Sequence, residues 1–157
     1  MKQVMLHIIF TLILACSVCL SQTDEVSLTV HSQAETLQEK VEQVNQLSKI
    51  ISEIEKALQN NSAEELSHFF TKKISISLRG TESGTFSANQ GYYIIREFFA
   101  KQKLTNFRFT SKGTSGDELY ATGGGTLFIR GKREVVQIYV GFLKSGSSYL
   151  ITQFNIY

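Results

Sequence analysis

The stretch ELYATGGGTLFIRGKREVVQIYVGFLKSGSSYLITQFNIY, residues 118–157, decides the fold. Apolar and β-branched residues alternate with polar ones over 118–130, 134–144 and 149–157, the period of strands with one buried face. Gly131-Lys132 and Ser145-Gly146-Ser147 separate these runs, and connections this short make hairpins. A further β-rich run, 107–112, precedes them across Gly113-Thr114-Ser115-Gly116. Four such runs predict an antiparallel meander. Gly123-Gly124-Gly125 falls inside the second of these runs, with no Lys-Ser pair after it and no helix starting there, which argues against a phosphate loop. Glycines within a strand mark a bend or a close backbone approach, as a curling sheet requires.

Upstream the period changes. Leu37, Val41, Val44, Leu47, Ile51, Ile54 and Leu58 recur at threes and fours, one stripe of an amphipathic helix that ends near Gln59, where Asn60-Asn61 breaks it. Ser48 and Glu55 fall at would-be seam positions, so the stripe is expected to pack within the domain and not in a sustained coiled coil. Ser62 with Glu65 is a capping box opening a short second helix through Leu66, Phe69 and Phe70. Ile74, Ile76 and Leu78 alternate with Ser75 and Ser77 as a strand, and Thr85-Phe86 pairs back onto it across a turn bracketed by Gly80 and Gly84. Ser87 with Gln90 makes another capping box. The helix it starts carries Tyr92, Tyr93, Ile94, Ile95, Phe98 and Phe99 around most of its circumference and is expected to be buried on more than one side. Together these elements make an α+β domain with its helices on one face of the sheet.

The first residues set the expected compartment. Lys2, the apolar run 4–14 and the small residues around Ser21 have the pattern of a secretory signal, residues 1–21, cleaved between Ser21 and Gln22. The alternative is a lipoprotein, because Ile13-Leu14-Ala15-Cys16 has the order of a bacterial lipobox in which an acylated Cys16 would tether the chain to a membrane. Either way the protein is expected to be exported, periplasmic or secreted, and to meet a membrane only through Cys16. A polar lead-in, 22–33, and one domain, 34–157, follow. Beyond Ser21 the sequence has no cysteine, tryptophan or proline, so cleavage there would exclude thiol chemistry, zinc-thiolate sites and iron-sulfur clusters.

Charge is uneven along the chain. Residues 22–70 hold nine carboxylates against three lysines, and residues 96–157 hold nine cations against four carboxylates. This describes an acidic helical face and a basic sheet surface. Lys101, Lys103, Arg108 and Lys112 are too sparse for a nucleic-acid stripe, and no nucleic acid is expected as a partner.

The order IEKALQNNSAEELSHFF at 54–70, then Gly84-Thr85-Phe86-Ser87, Phe98-Phe99-Ala100-Lys101 and Tyr149-Leu150-Ile151-Thr152-Gln153-Phe154, resembles the Bacteroidetes family named domain of unknown function 4783. The resemblance spans about residues 47–157. It implies the cone-shaped nuclear-transport-factor-2-like, or cystatin-like, fold, in which a curved sheet wraps a helix and leaves room for a pocket at the open end. It implies no activity. The longer acidic first helix over 33–46 departs from shorter relatives.

Enzymes of that superfamily place an Asp-His pair, or a carboxylate with a tyrosine, inside the cone. Beyond Ser21 this sequence offers His31 and His68, Asp24 and Asp117, from which no Ser-His-Asp set and no metal cluster assembles. The expectation is a protein without catalytic residues, metal or cofactor. Most aromatics must be core; Tyr92, Phe99, Phe109, Tyr120 and Tyr139 are the candidates for a ligand pocket, since tyrosine joins an apolar body to a hydroxyl. Three functions fit. The first is binding of a small, largely apolar ligand in the cone, which the aromatic supply favours. The second is a protein-interaction domain of the cell envelope, docking a partner protein or a second copy through the sheet. The third is an enzyme using a tyrosine, Glu97 or Arg96. A deep polar-lined cavity favours the first or third, and a filled cone with an exposed apolar sheet face favours the second.

Overall fold

In a computed structural model of the protein the described residues are 23–157 other than 82, 116, 117 and 130, with side chains from residue 37 onward except at 115. The signal segment, the Ser21–Gln22 junction and Cys16 lie outside the described residues. The chain divides into two compact units, Met1–Val44 and Asn45–Tyr157.

The described part of the first unit is helical. Helix α1, Thr23–Gln59, begins here and ends in the second unit. Its start at Thr23 takes in nearly all of the segment expected as a polar lead-in. No glycine or proline interrupts it. Gln43 donates to the Glu39 carboxylate one turn back at 3.0 Å, while Leu37, Val41 and Val44 are exposed.

In the second unit the apolar stripe reaches a core. Leu47, Ile50 and Ile51 are partly buried, and Ile54, Ala57 and Leu58 have no exposed surface. After α1 come α2 (Ala63–Ser67), β1 (Phe70–Leu78), β2 (Ser83–Ser87) and α3 (Ala88–Lys101). The meander follows as β3 (Leu104–Ser115), β4 (Glu118–Ile129), β5 (Lys132–Ser145) and β6 (Ser148–Ile156). Phe70 therefore opens β1 and does not extend α2. The six strands form one sheet in the order β2-β1-β6-β5-β4-β3. Strands β3 to β6 are antiparallel throughout, as the glycine-bearing connections predict. Outside that meander one pairing is parallel, β1 with β6, with Ser75 opposite Gln153 and Leu78 opposite Ile156. These two strands are joined by α3 and the rest of the meander, so no turn dictates their relative direction.

Of the two expected capping boxes one forms in full and the other by half. Ser87 and Gln90 exchange the two bonds of a full capping box. Ser62 accepts from the Glu65 N–H at 3.2 Å, but the Ser62 N–H already donates to the Ala57 carbonyl at 2.9 Å, which leaves no donor for Glu65 to reach back to. Helix α3 is buried on one side only. Gly91, Ile95, Phe98 and Phe99 face inward, whereas Tyr93 is 49% exposed. The Arg96 guanidinium lies 4.6 Å from the Tyr93 ring centre and 5.4 Å from that of Tyr92, a cation–π arrangement that helps the outward aromatics tolerate water.

Phe98, Phe99, Leu104, Phe107, Leu127, Ile138, Phe142 and Phe154, each at most 4% exposed, join α3 to the sheet in one core. The triple glycine works as a close approach. A Cβ at Gly123 would collide with the Arg108 carbonyl, and one at Gly125 would lie 2.7 Å from Leu104 Cδ1, whereas at Gly124 it would meet only the Val136 carbonyl at 3.9 Å. Strand β3 comes this near because it bulges twice, between Thr105 and Arg108 and between Phe109 and Ser111.

Candidate functional site

The five residues expected in a ligand pocket do not meet in one place. Phe99, 2% exposed, is core. Phe109 stands edge-on to Phe107, with ring centres 4.9 Å apart, and borders a groove between β3 and the end of α1. Tyr92 borders a different hollow, with Glu64, Ser67, Ala88 and Asn89 between α2 and α3. Only Tyr120 and Tyr139 come together. Their chain neighbours Ala121, Ile138 and Val140 point into the core, so strand alternation turns both tyrosines to the opposite, outer face of the sheet.

On that outer face the two rings are nearly parallel, with centres 5.7 Å apart. They lie low because glycines sit beneath them: a Cβ at Gly113 would be 2.8 Å from Tyr120 Oη, and one at Gly141 would be 3.4 Å from Tyr139 Cε1. Asn155 pairs with Tyr139 across the strands and is 3% exposed. Its Nδ2 donates to Tyr157 Oη at 2.9 Å, while its Oδ1 and the nearby Thr152 Oγ1 are buried without a partner among the described residues. Burial pushes the Tyr139 hydroxyl above its ordinary range, and the charges of Glu118, Tyr120 and Tyr157 add to the effect. Exposed apolar groups continue the face, with Val135 at 82%, Leu143 at 48% and Phe128 at 40%.

The end of α1 and the turn after it attend to the free edge of the sheet. Asn61 bonds both backbone groups of Leu104, its Nδ2 donating to the carbonyl at 2.9 Å and its Oδ1 accepting the N–H at 2.7 Å. Gln59 Nε2 donates to the Phe107 carbonyl at 3.0 Å, and Glu55 Oε2 accepts the Phe109 N–H at 2.8 Å. Beyond Phe109 no helix side chain bonds to the outer backbone edge of β3 among the described residues. Lys112 Nζ instead donates to Ser48 Oγ at 3.1 Å, and a groove of about 310 Å³ opens between Ser48, Ile51, Ser52 and Glu55 on one side and residues 109–112 on the other. The sequence marked Asn60-Asn61 as a helix breaker; the edge it serves is 43 residues away and leaves no local signal.

Another hollow, of about 260 Å³, lies among Thr81, Ile94, Glu97, Phe98, Lys101 and Gln102. Gln102 Oε1 is buried there without a partner among the described residues. The residues named for a hidden enzyme site are otherwise engaged. Glu97 is paired with Lys101 at 2.7 Å, and that hydrogen bond and charge hold its carboxyl below the usual range; Arg96 rests on its two tyrosines. His68 is exposed at the end of α2. Among the described residues no three His, Cys, Asp or Glu side chains gather as a metal site would require, and no helix is long and apolar enough to cross a membrane.

A sheet curled around α3 on one face, in an α+β domain of this element order, defines the nuclear-transport-factor-2-like, cystatin-like class. Solved structures agree. A putative dehydratase of the NTF2-like family from Streptomyces avermitilis is similar with a TM-score of 0.56 at 13% identity, covering 72% of this chain and 93% of that one. The sequence profile described as Domain of unknown function (DUF4783) matches residues 51–157, and the chain belongs to that family. A DUF4783 family protein from Bacteroides ovatus is 23% identical over 66% of this chain and 90% of its own, with a TM-score of 0.56. One from Bacteroides uniformis is 16% identical over 67% and 93%, with a TM-score of 0.59. No curated protein matches the chain.

Proposed function

We propose that residues 45–157 are a non-catalytic interaction module of an exported protein, pairing with a second copy through the outer face of the sheet. The observation that carries this reading is the low tyrosine pair on the same sheet face as the 82% exposed Val135 and the exposed Leu143 and Phe128. An uncovered, partly apolar surface of this kind is completed by a second surface. Strands β3 to β6 at about 4.8 Å spacing and about 3.3 Å per residue present roughly 20 by 40 Å, or about 800 Å², the area one partner gives to a standard interface. The side chains packed between α3 and the sheet weigh against a large apolar ligand on the inner side. Sedimentation of the chain from Gln22 onward over a concentration series tests the proposal. The expected result is a dimer that Val135→Arg converts to a monomer with an unchanged melting temperature; a parent that stays monomeric, or a dimer indifferent to Val135→Arg, overturns it.

A second reading, binding of a small molecule, is favoured by Gln102 Oε1, buried and unpartnered beside the hollow at the end of α3. A ligand with a hydrogen-bond donor would satisfy it. Thermal-shift screening of fractions from a host extract tests this, with Gln102→Leu expected to abolish any stabilisation seen with the parent.

A further inference from the structure

We infer that the open half of the β3 edge, residues 111–115, takes up an extended acidic peptide of a partner protein as an added strand. The edge is guarded in a selective way. Asn61, Gln59 and Glu55 occupy the outward backbone groups of Leu104, Phe107 and Phe109, the groups an incoming strand would need. Free edges are ordinarily blunted, and here the blunting stops at Phe109 although α1 continues alongside. Ser48, Ile51 and Ser52 stand across the groove of about 310 Å³ from the strand.

The hydrogen-bonding phase of the edge follows from the register. Phe109, opposite Gly123, points its N–H away from β4 and toward Glu55. The bulge between Phe109 and Ser111 shifts the phase, so the next outward residues are Lys112, opposite Ala121, and Thr114, opposite Leu119. An added strand bonding there projects alternate side chains into the groove, over Ile51 and Phe109 and beside the Lys112 ammonium. Charge selects the occupant. Strand β3 carries Arg108 and Lys112 and no carboxylate, and the one carboxylate of the groove, Glu55, is engaged by the Phe109 N–H. An acidic strand would pair with these cations, whereas a basic one would oppose them. This site is separate from the outer face, so its failure leaves the proposed dimer standing, and the reverse.

The test uses the chain from Gln22 onward and two series of labelled peptides of about ten residues, one alternating Val or Thr with Glu and the other with Lys in place of Glu. Fluorescence anisotropy is expected to detect the acidic series only, with amide exchange at Lys112 and Thr114 slowed on binding. Thr114→Pro removes an outward N–H without touching the ladder to β4 and is expected to weaken binding about tenfold or more. Ser52→Trp, which fills the groove from the exposed helix side, is expected to do the same and serves should the proline variant unfold. Failure of both series to bind, equal binding of the basic series, unchanged exchange at Lys112 and Thr114, or parental affinity in a folded variant overturns the inference.

Discussion

Asn61 shows how much one residue settles. Its φ of 56° ends α1 in the left-handed region, which asparagine tolerates better than most residues, and its amide then bonds both backbone groups of Leu104. Asn61→Gly keeps the conformation and loses the bonds, for about 1 to 3 kcal/mol; Asn61→Ala adds backbone strain of about 1 kcal/mol more. Urea unfolding of the two variants separates the terms, and equal stabilities would show that the conformation contributes nothing. Phe99→Ala, at a site 2% exposed, is expected to cost about 3 to 5 kcal/mol, whereas the exposed His68→Ala stays within about 0.5 kcal/mol of the parent. The Glu97 carboxyl gains from ionisation beside Lys101, a contribution present above its ordinary range and lost as pH falls through the lowered value. An NMR titration of Lys101→Met is expected to return Glu97 upward toward ordinary carboxyl behaviour. At this scale the sequence was informative about type and silent about partners. Phe99 was legible as a large apolar residue, but its place in the core and not in a pocket depended on which side of α3 met the sheet.

Elements were read best where their signals are local. The hairpins β4–β5 and β5–β6 sit where glycine-bearing connections put them, β3 runs on through Ser115 into the stretch expected as its connection to β4, and the full Ser87–Gln90 box starts α3 as predicted. Because that box satisfies two donors, Ser87→Ala is expected to cost about 1 to 2 kcal/mol, and Ser62→Ala, which gives up a single bond, less than 1 kcal/mol or so. Thermal melts of the two variants check the order; a costlier Ser62→Ala would mean that the short helix α2 matters more than its length implies. Two things escaped. Alternation shows that Tyr120 and Ala121 face opposite ways but not which of them meets the helices, and Phe109 was grouped with Tyr120 and Tyr139 for that reason. The apolar circumference of α3 overstated its burial, since Arg96 lets Tyr92 and Tyr93 stand outward.

For the whole molecule, the α+β class was legible because helical and strand periods separate cleanly along the chain; the cone shape came only with the resemblance to the family, and the sheet order was not legible, because it depends on a contact between distant strands. The proposal of export is checked by mass spectrometry of protein from its native host, expected to begin at Gln22, or at an acylated Cys16; an intact Met1 on folded protein would overturn both. The parallel seam joins the first strands of the sheet to the last. Thr71 Oγ1 donates to the Ile151 carbonyl 80 residues further on, and Phe154 and Ile156 pair with Ile76 and Leu78. Until β6 has emerged, the β1–β2 hairpin has no link to the rest of the sheet, and closing so long a loop is slow. A chain cut short before β6 is therefore expected to keep the β1–β2 hairpin and the β3–β5 meander as two fragments of sheet with no strand to join them.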